Sequence, residues 1–500
     1  MNPVNRFIPA ILICALVISP VILTSCGSSG KSSSDSAATS VVTAEETTTE
    51  LTDGLPDTDM NGFTLNMLHH NDEWLTWAKI QLSAEEENGE LINDAIVARN
   101  RAIEERFHCT LNLALIKQTA SVFKNIVSAG DASYDIIFQY GLNVTGNAEF
   151  LSNFSELPYI DWDAEYWNPN ATGVFKVGKV RLAAAGNLTL SYLSGSMCFL
   201  FNKVVYENFN VSEDFYGLAD AGQWTSDKYF SAAKSVYSDL NGDGIVGKGD
   251  IVGTISQAKA YYNSMIIGAG FRYVTFDADH YPVFSLADDK AMLSFIQNIV
   301  DREKATPSIY PVTAEMLAQS YYPNASQGNS EMSFINGESL FTVVTPNGIE
   351  GANLREMEDD FGILPPPKRD ESQDGYMTYA NIGEIMTLPR SYDISRSEYI
   401  GMLLEAMSFY SQQHIVPAYK KTVLAVKLSR DIDSARMLDH IFSNIVFDYG
   451  TVVWESQITG PIITKYIIPR SDTLISTVET IGATVNTNIE KLLIACENVP

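Results

Sequence analysis

The sequence predicts an α/β protein built from two lobes, and three observations support this prediction. The chain has 500 residues, which exceeds the size of one ordinary domain and leaves room for two substantial cores. Early in the chain, strand-like and helix-like patterns alternate in the order β-α-β-α-β, which is typical of a doubly wound sheet. The composition, 45% hydrophobic and 11% aromatic, is that of a folded soluble protein.

The opening unit is predicted from hydrophobic periodicity. Residues 63–68 and 111–115 alternate apolar and polar side chains, and residues 134–139 form the apolar run of a buried parallel strand. Helical spacing predicts helices from about 93 to 107 and from 122 to 128. Ligands of such sheets bind beyond the carboxyl ends of the strands. We therefore expect the loops after the first and third strands at the binding site.

Further elements follow with weaker patterns. Strands are expected near 180–184, 188–201, 251–255, 332–345 and 362–364, and helices near 258–267, 290–303, 399–412, 434–447 and 474–495. No internal repeat is present.

The best-defined site in the sequence is a twelve-residue loop from Asp239 to Asp250. Oxygen side chains fall at positions 1, 3, 5 and 12, glycine at 6 and a backbone carbonyl at 7, which are Asp239, Asn241, Asp243, Asp250, Gly244 and Ile245. A hard cation such as Ca²⁺ takes six to eight oxygen ligands, and the sharp turn requires glycine at the sixth position. The loop therefore predicts a Ca²⁺ site.

The flanks of this loop indicate a structural ion. Ser226 is expected to cap the preceding helix, and residues 251–255 read as a strand, so the loop joins a helix to a strand. Asp250 stands where a longer bidentate glutamate is usual, which weakens the expected affinity. A metal-free turn and a regulatory sensor are the alternatives to a structural Ca²⁺ site.

The N-terminus resembles a bacterial lipoprotein signal peptide. Arg6 precedes an apolar run from Phe7 to Leu23, and Leu23-Thr24-Ser25-Cys26 has the form of a lipobox. The resemblance implies that residues 1–25 are removed and that Cys26 is lipidated, which anchors the protein on the membrane surface. An uncleaved membrane anchor is the alternative. Residues 26–58 are rich in Ser and Thr and predict a disordered tether.

Charge and cysteine content exclude other classes. The formal charge of −28 argues against nucleic acid and against electrostatic docking on anionic lipid. After Cys26, the chain has Cys109, Cys198 and Cys496, an odd number without CxxC spacing. They are expected to be buried free thiols.

Several segments in order resemble one protein family. They are GELINDAIVARNRAIEERF at 89–107, FLFNKVVYENF at 199–209, GQWT and DLNGDG at 222–244, DDFGILPPPKRDESQDGY at 359–376 and the helical stretch at 405–441. Together they resemble the family 1 extracellular solute-binding lipoproteins of Gram-positive ABC importers, of the clostridial kind. The resemblance implies a two-lobed, periplasmic-binding-protein-like fold of type II, with a hinge and a ligand cleft between the lobes.

The family pattern also implies how the chain divides. Lobe one is expected to hold residues 59–190 plus 335–378, and lobe two residues 191–334 plus 379–500. The ligand of such proteins is most often a sugar or oligosaccharide, and the lobes close on it.

Candidate ligand residues are those that suit a sugar, which offers hydroxyls to polar groups and ring faces to aromatic side chains. Those near predicted strand ends are Trp74, Trp77, His70, Asn71, Glu73, Tyr140 and Tyr192. Trp224 is a further candidate, although it starts a helix and suits packing. Adjacent His69 and His70 do not predict a metal site, because neighbouring side chains on an extended segment point apart.

The sequence therefore predicts a monomeric, lipid-anchored extracellular protein that binds a carbohydrate and delivers it to an ABC permease. No catalytic motif is present, and no enzyme activity is expected. A surface glycan receptor or adhesin that does not serve transport is the first alternative. A surface glycosidase is the second, and turnover of a ligand would distinguish it.

Overall fold

The computed structural model describes residues 52–71, 82–244, 249–306, 308–312, 329–381, 384–425 and 432–500. Residues Thr52–Pro500 pack into one compact unit. The predicted signal peptide and most of the predicted tether lie outside the described residues. Among the helices of the described part, none is long and apolar enough to cross a membrane.

The strands are, in chain order, β1 (Phe63–His70), β2 (Cys109–Ile116), β3 (Ile136–Tyr140), β4 (Lys176–Val177), β5 (Val180–Arg181), β6 (Cys198–Asn202), β7 (Tyr237–Ser238), β8 (Ile251–Gln257), β9 (Val274–Phe276), β10 (Pro282–Phe284), β11 (Ile309–Val312), β12 (Ser339–Val344), β13 (Phe361–Leu364), β14 (Thr378–Tyr379), β15 (Glu384–Thr387) and β16 (Ile445–Val446).

The α-helices are α1 (Leu91–Phe107), α2 (Phe123–Ser128), α3 (Pro169–Thr172), α4 (Ser191–Ser194), α5 (Lys203–Asn208), α6 (Phe215–Asp220), α7 (Ser226–Ser235), α8 (Ala258–Gly268), α9 (Lys290–Ala305), α10 (Asn329–Ile335), α11 (Pro346–Ile349), α12 (Ala352–Glu356), α13 (Ser397–Tyr410), α14 (Val416–Ala425), α15 (Ile432–Ser443), α16 (Tyr449–Val452), α17 (Thr459–Pro461) and α18 (Leu474–Cys496). A π-helical segment, Ser411–Ile415, joins α13 to α14, and a second, Ile462–Ile467, follows α17.

The first sheet has the order β15-β3-β1-β2. β1 runs parallel to β2 along its whole length, from Phe63 opposite Cys109 to His70 opposite Ile116. β3 is parallel to β1, and β15 is antiparallel to β3. The β-α-β-α-β prediction for this part is confirmed, and the carboxyl ends of β1, β2 and β3 share one edge with the first residue of β15.

The second sheet has the order β11-β8-β12-β6-β13, with β7 paired to β8. β8, β11 and β12 are mutually parallel, whereas β6 is antiparallel to both of its neighbours, β12 and β13. The carboxyl end of β8 therefore points the same way as those of β11 and β12. Two sheets of this kind give the two-lobed fold that the sequence predicts.

Sheet membership differs from the division expected along the chain. Residues 335–378 were expected in lobe one, but β12 and β13 pair with β6 in the second sheet. Residues 379–500 were expected in lobe two, but β15 joins β3 in the first sheet. Pairing partners of four- to six-residue strands are set by contacts distant in sequence, which the local pattern does not contain.

Two segments run side by side where the chain passes between the sheets. Ala184 pairs with Met386 and Ser196 pairs with Ala380, both as antiparallel bridges. The Asn381 N–H donates to the Gly195 carbonyl at 2.8 Å. Residues 184–196, together with 380–381 and 384–386, therefore lie at the connection between the two halves.

Several element bounds also differ from the sequence prediction. In the predicted strand at 188–201, only Cys198–Asn202 is extended, and Ser191–Ser194 is helical. The predicted strand at 332–345 begins as helix α10. Apolar runs of this length suit a buried helix as well as a strand. The ordered part begins before residue 59, because Arg106 pairs with Asp53 and Asp57.

The three remaining cysteines are buried free thiols, as predicted. Burial raises the pKa of the Cys109 and Cys496 thiols to about 12 and raises that of Cys198 as well. Thiols held in this state are unreactive packing groups.

Candidate functional site

The candidate site lies where the carboxyl ends of strands from both sheets approach each other. β3 ends at Tyr140, and β8 ends at Gln257, two residues before Lys259 in the first turn of α8. The Lys259 ammonium pairs with the carboxylate of Glu455. Glu455 also acts on the Tyr140 hydroxyl, as described next, so the ends of β3 and β8 meet at one acidic side chain.

Tyr140 is half-buried and borders this acidic group. Burial, followed by the negative charges of Glu455 and Glu384, raises the pKa of its hydroxyl to about 12. The phenol therefore stays protonated and keeps its O–H donor at physiological pH. A half-buried aromatic ring with a polar tip suits a sugar, which presents both apolar and hydroxyl surfaces.

The backbone after β3 approaches the C-terminal part of the chain closely. A Cβ added at Gly141 would lie 2.9 Å from the Cγ1 atom of Val452 in α16. Glycine is therefore required where the end of β3 passes this helix. The close approach brings residues 449–455 to the edge of the first sheet.

Residues 448–455 are fixed by a buried carboxylate. Asp448 accepts hydrogen bonds from the Gly450 N–H at 2.6 Å and from the Tyr273 N–H at 2.8 Å. Burial raises its pKa to about 6. Trp454 packs edge-on against Tyr449, with ring centroids 4.9 Å apart. This packing positions Glu455, which is 22% exposed, at the rim of the site together with Lys259, which is 39% exposed.

The predicted ligand residues divide into four groups. Tyr140 and Asn71 are half-buried at the strand-end edge. Tyr192 lines a separate small cavity, and His70 and Trp224 are buried. Trp74, Trp77 and Glu73 lie outside the described residues.

Trp224 has no ring face to offer a ligand. It is 0% exposed, and its indole N–H donates to the Pro365 carbonyl at 3.0 Å. The rings of Phe215, Tyr229 and Phe341 surround it. The expectation that Trp224 contacts ligand is corrected to a packing role in the core beside the second sheet.

His70 faces inward. It is 0% exposed, and its Nδ1 lies 3.0 Å from an oxygen of Glu384 at the start of β15. The sequence prediction correctly placed His70 at the carboxyl edge of the first sheet, but it did not give the direction of the side chain. The expectation that His70 contacts a solute is corrected, because its imidazole is enclosed.

Tyr192 lines a cavity of about 250 Å³. Its hydroxyl donates to Asn187, and the Asn187 amide in turn donates to Gln412 in the π-helical segment. Glu165, Asn168 and Lys420 contribute further polar walls. Pockets for drug-sized ligands are typically about 300–1,000 Å³, so this cavity is too small for an oligosaccharide.

Sequence reasoning missed Lys259, Glu455 and Glu384. The sequence did contain a signal for Lys259. It follows the predicted strand at 251–255 within a few residues, and ligands of such sheets bind beyond the carboxyl ends of the strands. Glu455 stands in an irregular segment whose position depends on Asp448, and no local pattern marks it. Glu384 belongs to a four-residue strand whose sheet was not predictable.

The predicted calcium loop connects two antiparallel strands, β7 and β8. Asp239 accepts from the Gly242 N–H at 2.6 Å and from the Gly244 N–H at 2.8 Å, and Asn241 accepts from the Asp243 N–H at 2.8 Å. Gly242 and Gly244 have positive φ angles of 70° and 75°. Ile245, the carbonyl ligand at position 7, lies outside the described residues.

The end of the loop is closed by Asp250. This side chain is 0% exposed, and its Oδ1 accepts from the Leu240 N–H at 3.2 Å. A short carboxylate at position 12 suits a loop whose two ends are already paired as strands. The carboxylates and the amide oxygen form a donor set that fits a hard cation.

The flank before the loop differs from the prediction. Helix α7 ends at Ser235, and β7 separates it from the loop. Ser226 does not cap α7; its hydroxyl donates to the Arg369 carbonyl at 3.0 Å, and Thr225 is the N-cap residue.

Comparisons with known proteins identify the fold. No family model and no curated protein matches the sequence. An ABC substrate-binding protein from Listeria monocytogenes, solved in complex with cycloalternan, matches with a TM-score of 0.52 and 12% identity over 86% of this chain and 99% of its own. The cyclic α-maltosyl-1,6-maltose binding protein from Arthrobacter globiformis matches with a TM-score of 0.54 and 11% identity over the same shares.

These similarities show the architecture. The chain has the two-lobed α/β fold of these two substrate-binding proteins. In that fold the carboxyl ends of the strands face the cleft.

Proposed function

We propose that this protein is an extracellular solute-binding protein that captures an oligosaccharide between its lobes and delivers it to an ABC permease. The observation that carries the proposal is the meeting of the ends of β3 and β8 at Glu455, with Tyr140 and Lys259 beside it. Both structural neighbours are sugar-binding proteins by name, which favours a carbohydrate over other solutes.

The chemistry of the site suits a neutral, hydroxyl-rich ligand. Glu455 accepts hydrogen bonds from hydroxyls, Lys259 donates to them, and Tyr140 offers a ring face and an O–H group. The net charge of −28 disfavours an anionic ligand. No bond needs to be made or broken, and we propose that the protein is not an enzyme.

The proposal includes a lipid anchor. The lipobox at Leu23–Cys26 supports cleavage before Cys26 and attachment of the protein to the outer face of the membrane by acyl chains. Mass spectrometry of the mature N-terminus tests this assignment. A chain that keeps residues 1–25 would contradict it.

We further propose that the Asp239–Asp250 loop binds a structural Ca²⁺ ion. Asp239, Asn241, Asp243 and Asp250 would hold it, together with the carbonyl of Ile245. The ion would supply charge neutralisation to a loop that carries three carboxylates and would brace the β7–β8 turn. Its test is given in the Discussion.

The proposed function is tested by calorimetric titration of the protein with cyclic and linear α-glucans, beginning with cycloalternan and cyclic maltosyl-maltose. We expect saturable binding and no product by chromatography. Tyr140→Ala should weaken binding by roughly tenfold or more, because it removes a ring face and a donor. Tyr237→Ala, which removes an exposed tyrosine of β7, is the matched control and should bind normally.

Each outcome separates the alternatives. Release of shorter sugars would show a glycosidase. Binding to long surface glycans without binding to soluble oligosaccharides would favour a receptor or adhesin. Equal weakening by Tyr140→Ala and Tyr237→Ala would place the ligand elsewhere.

A further inference from the structure

A buried group of two histidines and a glutamate lies at the edge of the first sheet. His69, His70 and Glu384 are 1%, 0% and 2% exposed. One donor atom from each lies within 4.8 Å of the other two. No fourth His, Cys, Asp or Glu among the described residues joins them in this group.

The side chains converge although His69 and His70 are neighbours in the chain. Their ring centroids lie 4.4 Å apart, and the rings are tilted by 47°. β3 lies between β1 and β15, and Glu384 begins β15 opposite Tyr140, the last residue of β3. Glu384 therefore reaches both imidazoles across the end of β3. His70 is the last residue of β1, so the strand geometry that separates neighbouring side chains ends at this point.

The protonation of His69 can be deduced from its contacts. In its neutral form the His69 ring carries a hydrogen on one nitrogen and a lone pair on the other. Its Nδ1 lies 2.8 Å from the His70 carbonyl oxygen. A carbonyl only accepts, so Nδ1 carries the hydrogen and Nε2 carries a lone pair.

That lone pair points toward a carboxylate. His69 Nε2 lies 3.7 Å from Glu384 Oε2, and both atoms belong to buried side chains. A lone pair facing an anion in a buried site is repulsive unless a cation or a proton stands between them. A proton shared between these two atoms is the competing explanation.

We propose that His69 Nε2, His70 Nδ1 and the Glu384 carboxylate bind one divalent transition-metal ion of the zinc class. Ligands bound at about 2.0–2.2 Å in tetrahedral geometry lie about 3.3–3.5 Å apart. The distances from the two imidazoles to the Glu384 oxygens, 3.7 and 3.0 Å, lie on either side of this range. The His70 carbonyl holds the His69 ring in the tautomer that a metal requires.

The position of the site gives the ion a structural role. Glu384 follows the segment that crosses between the sheets, and the Ser191 hydroxyl donates to its backbone carbonyl at 3.1 Å. His69 and His70 are the last two residues of β1, a central strand of the first sheet. The ion would tie the crossing segment to β1 and so fix one side of the connection between the lobes.

The test uses the full chain in detergent, purified without a histidine tag and stripped with a chelator. It is titrated with Co²⁺ in the presence of excess Ca²⁺, which occupies the oxygen-ligand loop. We expect one equivalent of Co²⁺ with the visible absorption of a tetrahedral site, displaced by Zn²⁺ binding more tightly than about 1 μM.

Variants assign the ligands. Glu384→Gln is nearly isosteric and should weaken Co²⁺ binding by at least about 10–100-fold, and His69→Gln should do the same. His108→Gln, at an exposed histidine outside the group, should bind as the wild type does. If a variant does not fold, the stoichiometry and the absorption spectrum of Co²⁺ bound to the wild-type protein still test the proposal.

Three results would overturn the proposal. Wild-type protein that takes up less than one equivalent would show that a proton occupies the site. Full affinity in Glu384→Gln would exclude the carboxylate as a ligand. Loss of binding in His108→Gln equal to that in His69→Gln would place the ion elsewhere.

Discussion

Glu303 shows at the residue scale how this protein accommodates a buried charge. It is 0% exposed on α9, and the Tyr262 hydroxyl donates to its Oε2 at 2.9 Å. Burial raises its pKa to about 7, and the nearby Tyr262, Arg470 and Tyr261 offset only part of this effect. The native state therefore holds a proton at pH values where the unfolded chain has released it.

This raised pKa predicts a pH-dependent stability. Between about pH 4.5 and 7 the native state binds more protons than the unfolded state, so the stabilisation falls as pH rises and is lost above the folded pKa. The total is on the order of 3 kcal/mol. Glu303→Gln removes this dependence, and its free energy of unfolding relative to wild type should therefore rise from pH 5 to pH 8.

Denaturant unfolding at both pH values measures the change. Glu207→Gln, at an exposed glutamate of α5, is the control and should follow the wild-type curve. A constant difference between Glu303→Gln and wild type at both pH values would contradict the prediction.

For single residues, the sequence predicted the position along a strand but not the direction of the side chain. Tyr140 and His70 were both placed at strand ends, because a strand pattern locates its own last residue. Whether the side chain then faces the cleft or the interior depends on a partner such as Glu384, which comes more than 300 residues later. Sequence alone therefore located the edge but not the direction of each side chain.

At the scale of elements, α7, β7 and β8 form the unit that carries the proposed calcium loop. A Cβ on Gly253 of β8 would lie 1.9 Å from the Ala233 carbonyl oxygen in α7. Backbone atoms cannot yield to such a contact, so glycine lets the strand lie directly against the helix. The loop is thus built on a rigid base, which suits a structural ion better than a moving sensor.

The loop predicts a calcium-dependent stability. Ca²⁺ bound only to the native state stabilises it by about 2.7 kcal/mol at a hundredfold excess over the dissociation constant. The melting temperature should therefore rise with Ca²⁺ and fall with chelator. Asp239→Asn should lose this response, because it removes a carboxylate at the first ligand position.

A matched control exists in another hairpin. Asp277 between β9 and β10 accepts from the Asp279 and Tyr281 N–H groups, much as Asp239 accepts from backbone N–H groups of its loop. Asp277→Asn should keep the full Ca²⁺ response in a thermal-shift titration. If Asp239→Asn keeps the full rise in melting temperature with Ca²⁺, the ion does not bind in this loop.

Elements with long periodic patterns were predictable, and short ones were not. α1, α9 and α18 agree with their predicted bounds within about two residues, because several apolar positions define each face. β12 and β15 have six and four residues, and their sheets are chosen by distant partners. Glu455 lies in no helix or strand, so no periodic pattern marked it for the candidate site.

At the scale of the whole molecule, the halves are joined by more than the crossing strands. A continuous helical stretch runs from Ser397 to Ala425 through the π-helical segment. α1 packs against α13, the π-helical segment and α14, and α14 also contacts α11 and α15 beside the second sheet. π-helical segments often occur at functional positions. A π-helical segment is also a place where a long helix can kink, and Ser411–Ile415 is such a segment.

This connection predicts ligand-driven closure. A ligand shifts the balance of open and closed states only by its differential affinity for them, and a sugar held between Tyr140 and Lys259 contacts both halves only when they close. The radius of gyration of residues 52–500, about 22 Å for a compact chain of this length, should fall at saturating ligand. Small-angle X-ray scattering measures the change, and a non-binding sugar of equal size is the control. With Tyr140→Ala at the same sugar concentration, the fall should be smaller, since fewer chains are occupied. An unchanged radius at calorimetrically confirmed saturation would show that capture occurs without lobe movement.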